Sequence, residues 1–310
     1  AGKNPPDGAI LDYYLAANAQ GPVTLEILDS NGELVRRYSS TEKPPLMEKL
    51  AAEHPIPMYW VRPTQILSPE KGMHRFVWNV HYAPPKALEY EFPISAIVNN
   101  TPLVPLGTWA LPGSYTVKLT VNAMSYTQPL ILKMDPRIQT PLEDLRKQHE
   151  MEMGAVEGMD DSYESLEQVK SVRAQIKDLL KKVAGKDKLG KQLAALDSQC
   201  AELEGATQRS FYGVPTNGKQ PENLSTLNQH FSAILAVADS ADAAPTTQAT
   251  SAYQDLEQSE TALRRRWSAI RERDIPDLNK GLNKAALASI DPLKPLGEEL
   301  GGASDGDDEP

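Results

Sequence analysis

Apolar and polar positions along this chain follow two different periods, and the change falls near Pro136–Pro141. Before it, short runs alternate with period two, as strands that bury one face do. Ala9–Ala16 is a first apolar segment. Val23, Leu25 and Ile27 share a face of a strand that runs into Asp29-Ser-Asn-Gly. There Asn31-Gly32 predicts a hairpin, because both residues tolerate positive φ, and Glu33–Ser39 is the returning strand. His74, Phe76, Trp78 and Val80 mark a further strand. Tyr115, Val117, Leu119 and Val121 mark another, joined by a hairpin at Asn122–Ser125 to Tyr126–Met134. The Pro-rich stretches Thr41–Pro69 and Ala83–Leu111 read as long connections. Short strands, turn residues between them and a buried tryptophan predict a small antiparallel β-sandwich.

After Pro141 the period becomes three to four. Thr140-Pro141-Leu-Glu predicts a helix start, with threonine as N-cap, proline at the first position and early acids. Leu166, Val169, Val172, Ile176, Leu179 and Val183 form a first stripe, ended at Gly185. Leu189, Leu193, Leu196, Cys200 and Leu203 form a second, and Phe211–Gln220 a turn. Leu224, Leu227, Phe231, Ile234 and Leu235 form a third; Asp242–Pro245 breaks it, and Tyr253, Leu256, Leu263, Trp267 and Ile270 form a fourth. One-sided stripes of this kind predict an antiparallel bundle of about four helices. Proline usage agrees. Of 25 prolines, 17 lie at or before Pro136, and the three between Leu142 and Ile275 (Pro215, Pro221, Pro245) sit between periodic segments. The expected organisation is multidomain, β then α: a sandwich with Pro-rich inserts over 1–138, a helical bundle over 139–290 and an acidic disordered tail over 291–310.

Charge narrows the partners. The net charge is −10, and removing Glu298, Glu299, Asp305, Asp307, Asp308 and Glu309 leaves −4. A weakly acidic body does not suit nucleic acid or anionic membrane, both of which require a basic surface. No apolar run approaches the roughly 20 residues of a transmembrane helix, and no metal-ligand spacing occurs among the five histidines. Phosphate-loop and nucleophile-elbow patterns are absent as well. Cys200, the single cysteine, falls in an apolar stripe and reads as core rather than nucleophile. Catalytic, cofactor-binding and metal residues are therefore predicted as none. The remaining candidates are aromatics near the inserts. Tyr59, Trp60 and Trp109 read either as a glycan platform, since flat rings stack on sugar faces, or as packing at a domain interface.

Gly72–Val80, Leu111-Pro-Gly-Ser-Tyr-Thr-Val and the hairpin that follows resemble the Ig-like domain of the flagellar-hook-cap (FlgD-like) type. The whole order, from Asn4-Pro-Pro-Asp-Gly through Arg75-Phe-Val-Trp-Asn-Val and Lys133-Met-Asp-Pro-Arg to the trailing helices, resembles a larger unit. It looks like the C-terminal region of bacterial sortilin-like (VPS10-type) BNR/WD40-repeat proteins of the glycosyl-hydrolase family. The resemblance implies an antiparallel Ig-like β-sandwich followed by the bundle, and β-propellers that precede this region. No Asp-box or blade-length repeat occurs here, so none of that family's catalytic residues maps onto the chain. The N-terminus lacks an apolar signal-peptide core. The expectation is a processed product, a separate subunit or a piece of a longer exported chain, periplasmic or extracellular in bacteria. It would need no cofactor and would assemble with a propeller domain or subunit. The competing expectation is the C-terminal part of a secreted, sialidase-like glycoside hydrolase that contributes polysaccharide binding.

Overall fold

The computed structural model describes residues 6–43, 56–93, 97–183, 188–205 and 222–296. Gly185, the turn at Phe211–Gln220 and the tail beyond 296 lie outside them. Among the described residues six strands come first: β1 (Ala9–Leu15), β2 (Thr24–Leu28), β3 (Leu34–Ser39), β4 (Gly72–Trp78), β5 (Gly113–Val121) and β6 (Met124–Leu132). They form two small antiparallel sheets, a β1–β4 ribbon and a four-stranded sheet in the order β3-β2-β5-β6.

Local chemistry explains the turns. Asp29 accepts the N–H groups of Asn31 and Glu33 through Oδ1, each at 2.8 Å, and Gly32 takes φ 83°. Only the glycine of the Asn-Gly pair enters the left-handed region, and a register shift at Ile27/Leu28 absorbs the extra residue. The β5–β6 loop is tighter. Val121 pairs with Met124, and both Asn122 (φ 51°) and Ala123 (φ 65°) are left-handed, the geometry of a type I′ turn. That register points the backbone nitrogen of residue 129 away from β5, so Pro129 sits in an edge strand without removing a ladder bond.

Of the period-two positions predicted to face inward, Val23, Leu25, Ile27, Phe76, Trp78, Tyr115 and Val121 are buried, while His74, Val80, Val117 and Leu119 are only half-buried. Leu15, Val23, Leu25, Leu67, Phe76 and Val121 form one buried cluster. Ile27, Val35, Trp78 and Tyr115 form another, and both clusters draw on both sheets. Trp78 is fully buried; its indole N–H donates to the His81 carbonyl at 3.0 Å and its ring meets Tyr115 edge-on at 5.8 Å. On the opposite face of the larger sheet, Glu26 lies between Lys118 (3.0 Å) and Arg37 (4.0 Å), a cross-strand charge ladder. The strand predicted over His74–Val80 ends two residues early, because Val80 has φ 54° and leaves the extended region. His74 and His81 therefore do not lie on one strand. His74 is bonded to the Glu70 carbonyl at 2.7 Å, whereas His81 is buried.

The described parts of the Pro-rich connections are tied down rather than loose. A 3₁₀ turn spans Met58–Trp60, and single bridges join Val61 to Thr101, Glu91 to Val104 and His81 to Trp109.

Among the described residues five helices follow: α1 (Leu142–Leu180), α2 (Lys188–Glu204), α3 (Leu224–Ala238), α4 (Thr247–Ala269) and α5 (Ile275–Lys284). Helices α4 and α5 run on from one another through a π turn at Ile270–Asp274, where the Ile275 N–H reaches back to the Ile270 carbonyl. Leu166, Val169, Val172, Ile176 and Leu179 are buried, as are Leu193, Leu196, Cys200 and Leu203, so these parts of the first two stripes are core, whereas Val183 and Leu189 at their ends are half-buried. At the start of α3, Asn223 and Thr226 exchange bonds: the Thr226 N–H donates to Asn223 Oδ1 (2.9 Å) and the Asn223 N–H to Thr226 Oγ1 (3.1 Å). This reciprocal cap satisfies two helix-end donors. At the start of α1, the Thr140 hydroxyl donates to the Asp242 carbonyl at 2.5 Å.

Contacts group the chain into two compact units, residues 1–157 with 231–253, and residues 158–230 with 254–310. The limits fall inside helices rather than at residue 138, because the first turns of α1 and the 231–253 segment group with the strands. Among the described residues, no helix is long and apolar enough to cross a membrane.

Candidate functional site

Tyr59 and Trp60 lie in the 3₁₀ turn, and their carbonyls anchor the second insert: Asn99 N–H donates to Tyr59 O (2.8 Å) and Thr101 N–H to Trp60 O (2.9 Å). Arg62 Nε donates to Asn100 Oδ1 at 2.9 Å, which fixes the same junction. The two rings meet nearly perpendicular, 6.1 Å apart. Around them Met58, Tyr59, Ile97 and Val98 are exposed, Tyr59 and Val98 each at 61%. Two loops are thus pinned backbone to backbone, with their apolar side chains turned outward.

Trp109 belongs to a different cluster. The Tyr82 N–H donates to the Thr108 carbonyl and the Ala110 N–H to the Val80 carbonyl, both at 2.8 Å, which sets His81 beside Trp109. The His81 ring lies on the indole at 3.8 Å between centroids. The indole N–H bonds to the Asp239 side chain, and the Trp109 carbonyl to the His149 ring. So one face, the N–H and the carbonyl of Trp109 are all engaged, although 47% of the residue stays exposed. The candidate aromatics fall into two places: Tyr59 and Trp60 cap an insert junction, and Trp109 joins the 80–110 segment to helical residues of its own unit.

The polar groups around Trp109 have shifted protonation. Burial pushes His81 down to about 4, so it is neutral at pH 7; its Nδ1 bonds the Asn79 carbonyl at 2.6 Å, and Nε2 has no partner among the described residues. Burial also lowers His149, whose ring lies 5.3 Å from Tyr82. One turn on, Glu152 is 2% exposed and pushed up to about 7, first by burial and then by Asp239 and Asp242. It accepts from Gln148 Nε2 at 2.9 Å, and the same amide donates to the Ala238 carbonyl at 2.8 Å. His149, Tyr82, Arg146, Ser114, Asn31 and Glu33 contribute to a cleft of about 520 Å³ beside this cluster. Helical periodicity in apolar residues alone misses the group, because Gln148 and Glu152 are polar residues on a buried face; their i, i+4 spacing beside Leu145, Met151 and Ala155 is the one signal for it.

In the second unit, Arg173 pairs with Asp197 (3.0 Å) and Glu204 (2.6 Å) in a groove of about 610 Å³ that Lys170, Lys177 and Lys181 also line. His230 Nδ1 pairs with Glu222 at 2.9 Å, and Thr226 Oγ1 donates to the same carboxylate. Cys200 is fully buried and its thiol is pushed up to about 12, so it is a poor thiolate source. No cluster of three metal-ligating residues occurs among the described residues. No protein-family model, curated protein or solved structure matches the chain.

Proposed function

We propose that this chain is a non-catalytic interaction module of an exported bacterial protein, built as an Ig-like sandwich followed by a helical bundle, that packs on or assembles with β-propeller domains of the sortilin-like, BNR-repeat kind. The sandwich reading draws support from two antiparallel sheets whose inward side chains share both core clusters. The observation that carries the interaction reading is the pinned knuckle of Met58, Tyr59, Ile97 and Val98. Loop residues of this kind are normally polar, and an apolar group on a rigid backbone junction is what a protein interface needs. Trp109 supports the same reading, since its N–H, carbonyl and one ring face are already engaged within its own unit.

Native purification from the source, under conditions that keep complexes intact, tests it. The expected result is co-elution with a propeller-bearing polypeptide and release of that polypeptide by Tyr59→Ala/Val98→Asp. Elution of the chain alone would overturn the proposal. The second reading, a glycoside-hydrolase accessory that binds polysaccharide, rests on the exposed Tyr59 ring beside Trp60. It expects retention on a polysaccharide affinity gel that is lost in Tyr59→Ala/Trp60→Ala, and no retention on any glycan removes it.

A further inference from the structure

The free edges of the two sheets are guarded unequally. On β6 an outward-facing backbone position is Pro129, which has no N–H to offer. On β4 the outward N–H of Val77 is taken by Gln65 Oε1 at 2.9 Å. That second bond also fixes the direction of every group in the ribbon. Val77 lies opposite Ile10, and directly opposed antiparallel residues either exchange bonds or both point away. Hence the N–H and C=O groups of Ile10, Asp12 and Tyr14 all point away from β4. No described residue bonds to them. The side chains of the same three residues are exposed, Ile10 at 45% and Tyr14 at 63%. Asp12 is held by its cross-strand neighbour Arg75 through two bonds of 2.8 and 3.0 Å. An edge with open backbone groups, apolar side chains and neither proline nor bulge is a template for another strand.

The pattern along that edge identifies the strand it fits. Read outward, it is apolar, charged, apolar about Asp12, so it has the same character in both directions. We propose that β1 pairs antiparallel with β1 of a second copy of this chain, about a two-fold axis through Asp12, to give a continuous sheet in the order β4–β1–β1–β4. Ile10 then lies opposite Tyr14 of the other copy on both sides of the axis, and each facing pair exchanges two backbone hydrogen bonds. The single like-charge contact, Asp12 against Asp12, falls on the axis. Each carboxylate there already carries its own Arg75, so the layer across the sheet reads Arg–Asp–Asp–Arg. Apolar cross-strand pairs on either side complete the match.

Sedimentation velocity of the whole chain, from low micromolar to near-millimolar concentration, tests the pairing. The expected result is a reversible monomer–dimer equilibrium. Asp12→Pro removes an N–H that takes no part in the β1–β4 ladder, and it weakens dimerisation at least about tenfold, with far-UV circular dichroism unchanged. Asp12→Asn keeps the N–H and relieves the like-charge contact, so it dimerises at least as well as the parent. If Asp12→Pro does not fold, Tyr14→Glu at the exposed end of the strand replaces it with the same expectation. A chain that stays monomeric throughout overturns the inference. So does a dimer that Asp12→Pro or Tyr14→Glu leaves intact, or one that Asp12→Asn breaks.

Discussion

Glu152→Gln isolates the energetic consequence of burying one carboxyl group in the helical part of the first unit. In the folded chain Glu152 titrates at about 7 against an ordinary 4.5, because burial and the nearby Asp239 and Asp242 disfavour its charge. A raised acid pKa favours the protonated form in the native state. The associated stability is fully present below about pH 4.5 and falls away as pH rises through about 7. The gap of about 2.5 pH units, at 1.36 kcal/mol each, sets an upper figure of about 3.4 kcal/mol; relaxation and water entry reduce it to about 1–3 kcal/mol. Glutamine has the same shape, cannot ionise, and offers Gln148 the same carbonyl-type acceptor that Glu152 offers at 2.9 Å. Urea unfolding of both proteins across pH 4.5–8.5 measures the difference directly. The expected outcome is near-equal stability at the acid end and a variant more stable by about 1–3 kcal/mol at the alkaline end. Parallel pH profiles for the two proteins would refute the reasoning, since every other titrating group is common to both.

Three further outcomes follow from particular residues. Ala123→Gly relieves a left-handed alanine (φ 65°) in the β5–β6 turn and should stabilise by up to about 1 kcal/mol, read as a higher midpoint in thermal melts. Trp78→Ala empties a fully buried site and leaves the His81 carbonyl without its indole donor; a loss of about 3–5 kcal/mol is expected in chemical denaturation. Cys200, buried and titrating at about 12, should react with a thiol reagent only at the rate of opening in native buffer and fast in denaturant.

The strand faces and helical stripes were legible because they rest on periodicity. Phe76 and Trp78, or Val169 and Val172, are apolar wherever the period places them inward, and no long-range information is needed to see it. Hairpins were legible for a similar local reason, yet Asn122-Ala123 shows a limit: alanine does not announce positive φ, and a two-residue loop imposes it. The extra helix α5 was not legible, since its apolar residues fall out of step with the stripe before it. The group around Trp109 was least legible. His81, His149 and Glu152 are far apart in sequence, and their burial comes from packing of helical residues against the 80–110 segment, which no local pattern encodes.

The π turn at Ile270–Asp274 acts as a phase correction in a long rod. An α-helix advances about 100° per residue, and Ile275, five residues after Ile270, would lie well off the buried side of an unbroken helix. One wider turn restores the alignment, so Ile270, Ile275, Leu278 and Leu282 are all buried. The alignment of every residue beyond Asp274 therefore depends on the length of the chain through the turn rather than on its side chains. Deleting one residue there would let a plain α-turn carry Ile270 to Ile275 in four steps, about 40° apart, with the α5 stripe still facing inward, whereas adding one would rotate that stripe toward water. In this stretch the chain tolerates loss of one residue more readily than gain of one.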